Sequence, residues 1–269
     1  MTHAEKWAEA LGEWALPDWV LSCAPEAPWG FSVSTFVDAA RVALTGPPTP
    51  THRRVSEALA DGGTLIDVGC GGGAASLPVA PPAGRVVAVD EDPRMLEAME
   101  QLAAGRPHFE LELVQGRWPD VAGAAGSADV VVCANVAYNV ADLGPFLQAL
   151  TGCAKRRVVL ELTAVHPQTA LAPLWRHFWD LPRPAGPTAE DAIAVVRESL
   201  GLVPKAEQWE RPLAFMLDKT AEQVANTRRR LCLTPDRDEE IEEQLQLLPT
   251  APSRVWALWW PGRAGTGSR

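Results

Sequence analysis

The segment from Thr64 to Gly73 constrains the fold more than any other part of this chain. Its first half is apolar and partly β-branched, which favours a strand buried on both faces of a sheet. Asp67 stands at the end of this strand, and glycines follow at Gly69, Gly71, Gly72 and Gly73. Glycine tolerates positive φ and has no Cβ, so the chain can turn tightly into a following helix while a ligand approaches the bare backbone. We therefore expect a parallel sheet that binds a nucleotide-sized ligand at this turn.

The glycines alone leave two cofactor classes open. Gly69, Gly71 and Ala74 satisfy the relaxed dinucleotide pattern G-x-G-x-x-A, which is typical of nicotinamide cofactors. Asp67 argues against a dinucleotide, because a carboxylate two residues before the first glycine repels an anionic pyrophosphate. The same carboxylate attracts a ligand that carries an ammonium and a sulfonium.

The spacing of Asp67, Gly69, Gly71 and Gly73 follows the form acidic-x-Gly-x-Gly-x-Gly. In this the chain resembles the class I S-adenosylmethionine-dependent methyltransferases. The resemblance implies that S-adenosyl-L-methionine is the cofactor and that these four residues, with Cys70 between them, bind it.

A second match follows at the end of the next strand. Val86 to Val89 form an apolar run, and Asp90 stands at its carboxyl end. In the family this acid binds the ribose hydroxyls, and a carboxylate suits the task because it accepts two charge-assisted hydrogen bonds from a vicinal diol. Glu91 or Asp92 could share the role.

The region after the third strand departs from the family pattern. Family members often place an acid or amide there to read the adenine, whereas this chain has Gly116, Arg117 and Trp118. We expect adenine to rest against Trp118 or to meet backbone groups. Asn135 follows the fourth strand, where the family places the methyl-transfer face, and is expected to border the cofactor.

Strand-like and helix-like segments alternate over roughly residues 60 to 165. The predicted fold class is α/β, with a Rossmann-like, seven-stranded, mainly parallel sheet flanked by helices. We expect an N-terminal helical cap over residues 1–60 and a cofactor-binding core over residues 61–165. Residues 166–269 are expected to supply helical substrate-side insertions and the final strands. In the family the last two strands usually form a hairpin, and here we expect a helical insert to interrupt it.

Polar and aromatic residues near the ends of the fourth and fifth strands are the candidates for the acceptor site. Tyr138 could orient a nucleophile or, with a lowered pKa, accept a proton, and His166 has a suitable intrinsic pKa for a base. Asn139 is a candidate for substrate binding. Trp29 or Phe31, in a Pro-Trp-Gly-Phe loop before the core, could cover the sulfonium through cation–π attraction.

Composition restricts the partners. The net charge of −10 opposes nucleic acid as substrate, because phosphate binding needs a basic surface. Arg228 to Arg230 lie beside DRDEEIEE, whose acids can neutralise them on a solvated helix face. No run approaches the roughly 20 apolar residues of a membrane span. Neither the N-terminal sequence nor the five cysteines indicates secretion, a disulfide framework or a metal site, so we expect a cytoplasmic protein.

The sequence therefore predicts a methyltransferase that moves a methyl group from S-adenosylmethionine to a small-molecule acceptor by in-line displacement. Two alternatives stay open at this point. One is a nicotinamide-dependent oxidoreductase that uses the same glycines. The other is an S-adenosylmethionine-binding protein without catalysis. The acceptor atom and the oligomeric state do not follow from the residues.

Overall fold

Seven strands form a single sheet in the order β3-β2-β1-β4-β5-β7-β6. The computed structural model describes residues 1–30, 32–59, 62–106, 108–211, 220–249 and 252–263. The strands are β1 (Gly63–Val68), β2 (Ala83–Asp90), β3 (Glu110–Gln115), β4 (Ala128–Ala134), β5 (Ala154–Thr163), β6 (Lys205–Arg211) and β7 (Ser253–Pro261). The neighbours among β1 to β5 are parallel, and β7 runs antiparallel to both β5 and β6. The predicted fold class is confirmed.

Helices flank this sheet on both faces. They are α1 (His3–Gly12), α2 (Asp18–Leu21), α3 (Val33–Thr45), α4 (Pro50–Ser56), α5 (Pro93–Ala103), α6 (Ala122–Ala125), α7 (Leu143–Cys153), α8 (Ala172–Trp179), α9 (Ala189–Leu200), α10 (Ala221–Arg230) and α11 (Asp238–Leu247). None of the helices in the described ranges has the length and apolar character that crossing a membrane requires.

Successive residues of β1 pack into two separate parts of the core, one on each face of the sheet. Ile66 belongs to a cluster with Trp7 of α1 and Phe146 of α7. Leu65 belongs to a second cluster, with Val55 of α4 and Met99 of α5. Side chains of successive strand residues point to opposite faces, so a run that is apolar throughout can be buried on both sides. This explains why β1 reads as a continuous apolar strand.

The helix expected after the glycine turn does not form. From Gly69 the chain passes through turns and one short 3-10 helix, Leu77–Val79, before it enters β2. Pro78, Pro81 and Pro82 explain the difference, because proline lacks the N–H that a helix interior needs and clashes with the preceding turn. The prediction of a helix here was therefore wrong, and the N–H groups near a bound ligand belong to a turn.

The N-terminal helices and the insert before β7 meet on one side of the molecule. Helices α10 and α11 lie between β6 and β7 in the chain, which confirms a helical insert. Val20 of α2, Trp175 of α8 and Ile241 of α11 share a third hydrophobic cluster. The cap and the insert therefore pack together across α8. The boundaries drawn at residues 60 and 165 stay predictions.

Candidate cofactor and acceptor site

The glycine turn has the backbone that the sequence predicts, but a different environment. Gly69 and Gly71 have φ values of 68° and 50°, in the left-handed region. A Cβ on Gly69 would lie 2.3 Å from Val136 Cγ2, and one on Gly71 would lie 2.6 Å from Phe36 Cδ1. The ring of Phe36 from α3 occupies the side of Gly71 on which a Cβ would stand. Both glycines are required by conformation and by close packing.

The other two residues of the turn are buried. Gly73 has a φ of 82°, and a Cβ there would lie 2.8 Å from Leu77 Cγ. Burial, together with the nearby carboxylates of Asp67 and Asp90, raises the pKa of the Cys70 thiol well above its usual value. Cys70 therefore carries a neutral thiol at this position, and its backbone N–H donates to the Val89 carbonyl at 3.0 Å.

Asp67 carries the clearest indication of a ligand. Its side chain is 1% exposed, and Oδ2 has no hydrogen-bond donor among the described residues. Burial raises its pKa to about 7; the Ser76 hydroxyl opposes this rise and the charge of Asp90 adds to it. A buried carboxylate oxygen without a donor is costly unless a partner satisfies it. A cationic amino group at the glycine turn fits this requirement, so the site suits S-adenosylmethionine.

Asp90 joins the glycine turn to the end of β2. Its Oδ2 accepts a hydrogen bond of 2.9 Å from the Gly71 N–H, and its Oδ1 accepts one of 3.0 Å from the Asp92 N–H. Each carboxylate oxygen has a second lone pair, so both can still accept a ribose hydroxyl. The Asp92 carboxylate instead caps α5 and pairs with Arg94. Glu91 is exposed.

The segment after β3 lies next to Asp90. The Gly116 N–H donates to the Asp90 carbonyl at 2.9 Å, and a Cβ on Gly116 would overlap Val121. Arg117 is exposed. Trp118 is 6% exposed within the cluster on the α7 face, and its indole Nε1 lacks a hydrogen-bond partner among the described residues. A contact between adenine and Trp118 stays a prediction.

A polar cluster fixes the first residues after β4. The Asn135 backbone N–H donates to the Glu161 carbonyl at 2.8 Å, and its carboxamide donates to Glu161 Oε1 at 3.1 Å. Thr51 and Arg211 donate to the same carboxylate, at 2.5 and 2.6 Å. Asn135 itself has a φ of 61° and is exposed. Glu161 thus holds Asn135 in an uncommon backbone conformation at the edge where the site is expected.

A cavity of about 480 Å³ brings together the residues proposed for the acceptor. Trp29, Tyr138, Asn139 and His166 all line it. Trp29 is exposed at its mouth, and Phe31, the alternative to Trp29, lies outside the described residues. The roles of these residues in catalysis and binding stay predictions.

Two chain segments connect this cavity to the glycine turn. Gly30 lines the cavity, and six residues later Phe36 packs on Gly71. Tyr138 lines the cavity, and two residues earlier Val136 packs on Gly69. The cavity and the glycine turn are therefore neighbours at the carboxyl edge of the sheet, as a bound methyl donor and its acceptor must be.

Neither proposed base has a pKa near neutrality. The Tyr138 hydroxyl donates to the Thr163 carbonyl at 2.7 Å, and burial raises the pKa of Tyr138. Burial and the positive charge of Arg183 lower the pKa of His166 to about 4. The catalytic roles of both residues stay predictions, but the lowered pKa that Tyr138 would need as a base is not found, and the pKa of His166 lies below its intrinsic value. The physical reason is that both rings stack in a cluster with Trp7 and Trp14.

The structure adds residues to the cavity that sequence reasoning missed. Trp14, Trp175, Arg183 and Arg230 line it, all outside residues 61–165. Trp14 follows the end of α1 and Trp175 lies within α8, and neither is among the predicted site residues. Arg230 belongs to a basic triplet expected on a solvated face; Arg228 does pair with Asp238 at 2.6 Å, but Arg230 turns inward to the cavity. Only their clustering in space identifies these residues.

Part of the chain is similar in sequence to known proteins. Residues 66–160 match the family described as a methyltransferase domain. The chain is also 34% identical over 84 residues to a ubiquinone biosynthesis O-methyltransferase from Azorhizobium caulinodans. That match covers 31% of this chain and 33% of the relative, so the chain spans about a third of the length of the curated relative it matches.

Solved structures share the fold over most of the chain. A cyclopropane-fatty-acyl-phospholipid synthase-like protein from Lactobacillus casei superposes with a TM-score of 0.57 at 17% identity, over 91% of this chain and 98% of that one. A magnesium protoporphyrin IX methyltransferase from Synechocystis, solved with bound S-adenosylhomocysteine, gives a TM-score of 0.50 at 14% identity, over 84% and 83% of the two chains. At these identities the likeness concerns the fold.

Proposed function

The chain contains a class I S-adenosylmethionine-dependent methyltransferase domain, and from this premise we propose that the protein transfers a methyl group to a small-molecule acceptor bound in the cavity beside the glycine turn. The observation that carries the proposal is Asp67. Its buried oxygen Oδ2 has no hydrogen-bond donor among the described residues and stands just before the glycine turn, so we assign it to the cationic amino group of the cofactor.

Each part of the site has a proposed task. Asp67 and the turn at Gly69 and Gly71 hold the amino acid end of the cofactor, and Asp90 holds the ribose. When bound, S-adenosylmethionine supplies an electrophilic methyl group, whose bonding electrons remain on sulfur as an acceptor lone pair forms the new bond. The protein then has to align the acceptor and exclude water, which the apolar cavity favours.

No general base is part of this proposal, and the proton of a hydroxylated acceptor is released to solvent water. Tyr138 keeps its proton on the Thr163 carbonyl, and His166 is a weak base. We assign both residues to the wall of the acceptor cavity, where the hydroxyl oxygen of Tyr138 can still accept a hydrogen bond from the acceptor. Trp29 at the mouth and Asn139 would contact the same ligand.

The acceptor is proposed to be a small molecule rather than a nucleic acid, in line with the net charge of −10. The O-methyltransferase relative makes hydroxylated compounds the first acceptors to test. We also propose that the protein works in a reducing cytoplasm, since all five of its cysteines are free thiols.

Calorimetric titration tests the cofactor directly. S-adenosylmethionine, S-adenosylhomocysteine and NADPH are titrated in parallel into the purified protein. Binding of the first two alone supports the proposal, and binding of NADPH alone overturns it in favour of a nicotinamide-dependent oxidoreductase. A binding protein without catalysis would bind S-adenosylmethionine tightly and turn over no hydroxylated acceptor in a panel.

A further inference from the structure

The acceptor cavity has the opposite charge to the chain as a whole. The chain carries a net charge of −10, yet the described residues that line the cavity include two arginines, Arg183 and Arg230, and no aspartate or glutamate. His166 lies beside Arg183 and contributes no negative charge. Two guanidinium groups in the wall, with no carboxylate among the described lining residues, favour an anionic ligand.

Arg183 is held in place with donors to spare. Its guanidinium lies 5.0 Å from the ring centroid of Trp14 and 5.3 Å from that of Trp175, and one terminal nitrogen donates to the Trp14 carbonyl. Its Nε is buried and has no hydrogen-bond partner among the described residues. A buried guanidinium donor is costly to leave unpaired. The two rings thus hold in place a cation whose buried Nε lacks a hydrogen-bond acceptor among the described residues.

Arg230 brings a second cation from the helical insert. It is the last residue of α10 and lines the same cavity. Burial and the charge of Arg229 lower its pKa. An anion bound in the cavity that both arginines line would be attracted by both guanidinium groups.

The walls around these cations are flat and aromatic. Trp14, Trp29 and Trp175 line the cavity, whose volume of about 480 Å³ falls within the usual range for small-molecule sites. Trp14 stacks on His166, and Arg183 lies over both Trp14 and Trp175, so the exposed Trp29 offers the most ring surface to a ligand. Aromatic walls together with two guanidinium groups favour a ligand that combines a planar ring with a negative charge.

We propose that the acceptor of this cavity is a planar aromatic carboxylate, with its carboxylate on Arg183 and Arg230 and its ring against the tryptophan walls. A guanidinium fork matches a carboxylate in geometry and charge. A carboxylate held in this way binds and orients the ligand, so the methyl group goes to another atom of the same molecule. The substrate class rests on the proposed methyltransferase function, whereas the binding preference itself does not.

Matched pairs of ligands test the preference. Benzoate, 4-hydroxycinnamate and indole-3-acetate, each with its neutral amide, are titrated calorimetrically into the full chain. We expect at least one carboxylate to bind about tenfold or more tightly than its amide, the loss that follows removal of a charged hydrogen-bond partner. Equal affinity within every pair, or no binding by any carboxylate, overturns the inference.

Variants locate the preference in the cavity. Arg183→Gln and Arg230→Gln should each reduce the discrimination between acid and amide, and Arg183→Lys should retain part of it. If Arg183→Gln does not fold, Arg230→Gln still tests whether an arginine of the cavity causes the discrimination. Arg176→Gln is the matched control, because Arg176 is exposed on α8, pairs with Asp180 and does not line the cavity. Discrimination that survives both glutamine variants, or that Arg176→Gln also removes, overturns the assignment.

The cofactor titration separates this inference from the proposed function. Binding of S-adenosylmethionine without any acid-over-amide preference overturns the substrate class and leaves the methyltransferase standing. A preference that requires Arg183 or Arg230, in a protein that binds no S-adenosylmethionine, supports the anion site and overturns the methyltransferase.

Discussion

The Gly71 backbone N–H donates a 2.9 Å hydrogen bond to Asp90 Oδ2, which ties the glycine turn after β1 to the end of β2. The other oxygen of Asp90 accepts the Asp92 N–H. The carboxylate proposed to bind the ribose is thus already oriented by two backbone donors. Preorganisation of this kind lowers the entropic cost of binding a ligand.

Asp90→Ala should weaken binding of S-adenosylmethionine by about 1.5–3 kcal/mol, the range for hydrogen bonds to a charged group. It should also lower the melting temperature, because the Gly71 N–H loses its acceptor. Calorimetric titration and thermal unfolding measure the two effects separately. Unchanged affinity would remove Asp90 from the ribose site.

Asp92→Ala is the control for Asp90. Asp92 caps α5 and pairs with the exposed Arg94, so its loss should cost about 1 kcal/mol of stability, as the loss of a helix cap does. Its carboxylate has no role in the proposed cofactor site, whereas the Asp92 N–H that supports Asp90 is retained. A similar loss of cofactor affinity in both variants would mean that the two acids share the ribose.

Cofactor affinity should depend on pH through Asp67. Its pKa is raised to about 7 by burial, so the carboxyl is largely protonated below that pH and does not attract a cation. We expect the affinity for S-adenosylmethionine to fall by up to about tenfold per pH unit below pH 7. Titrations between pH 5.5 and 7.5 measure this. Asp67→Asn should bind more weakly, with a flat profile over the same range.

The raised pKa of Asp67 also determines how the stability of the ligand-free protein changes with pH. The folded pKa of Asp67 lies above its ordinary value of 3.8, so the folded state holds the proton more tightly than the unfolded state. The free energy of unfolding therefore falls as pH rises from about 4 to 7, by on the order of 4 kcal/mol from this group alone. Asp67→Asn should be the more stable protein above pH 7, by urea unfolding. Equal stability there would mean that the carboxyl is not buried.

The positions of Asp67 and Asp90 could be predicted from the sequence because strand ends and glycine turns are local features. The helix expected after Gly73 failed for a local reason as well, since three prolines before β2 outweigh the family pattern. Arg183, Arg230 and Trp14 could not have been placed at one cavity, because they come from segments far apart in the chain that meet only in the folded structure. The sequence around Arg183 indicates a loop, that around Arg230 a solvated helix face, and that around Trp14 the apolar face of a helix.

Arg211 should contribute more to stability than an ordinary surface arginine. It donates to Glu161 at 2.6 Å, and that carboxylate is only 7% exposed. Arg211→Met leaves a buried charge with fewer donors, so we expect a loss of about 1–3 kcal/mol in urea unfolding. The Arg211→Met, Glu161→Gln double variant should recover part of this loss, since it removes the buried charge as well.

Arg53→Met is the matched comparison for Arg211. Arg53 pairs with Glu207 at 2.8 Å, but its side chain is 48% exposed. An exposed pair of this kind contributes at most about 1 kcal/mol. If Arg53→Met lowers the free energy of unfolding as much as Arg211→Met does, then the burial of Glu161 does not explain how its cluster stabilises the protein.

Tyr138→Phe separates a positioning role from base catalysis. The Tyr138 hydroxyl donates to the Thr163 carbonyl, and its pKa is raised by burial, so it cannot serve as the base near neutral pH. We expect retained cofactor affinity and a loss of up to about tenfold in kcat/KM, the value of one neutral hydrogen bond, with an unchanged pH profile. A loss above a hundredfold together with a missing limb in the pH profile would restore the base role. His166→Gln should likewise leave the profile near pH 6.5 unchanged, because the pKa of His166 is lowered to about 4 and the ring is already neutral there.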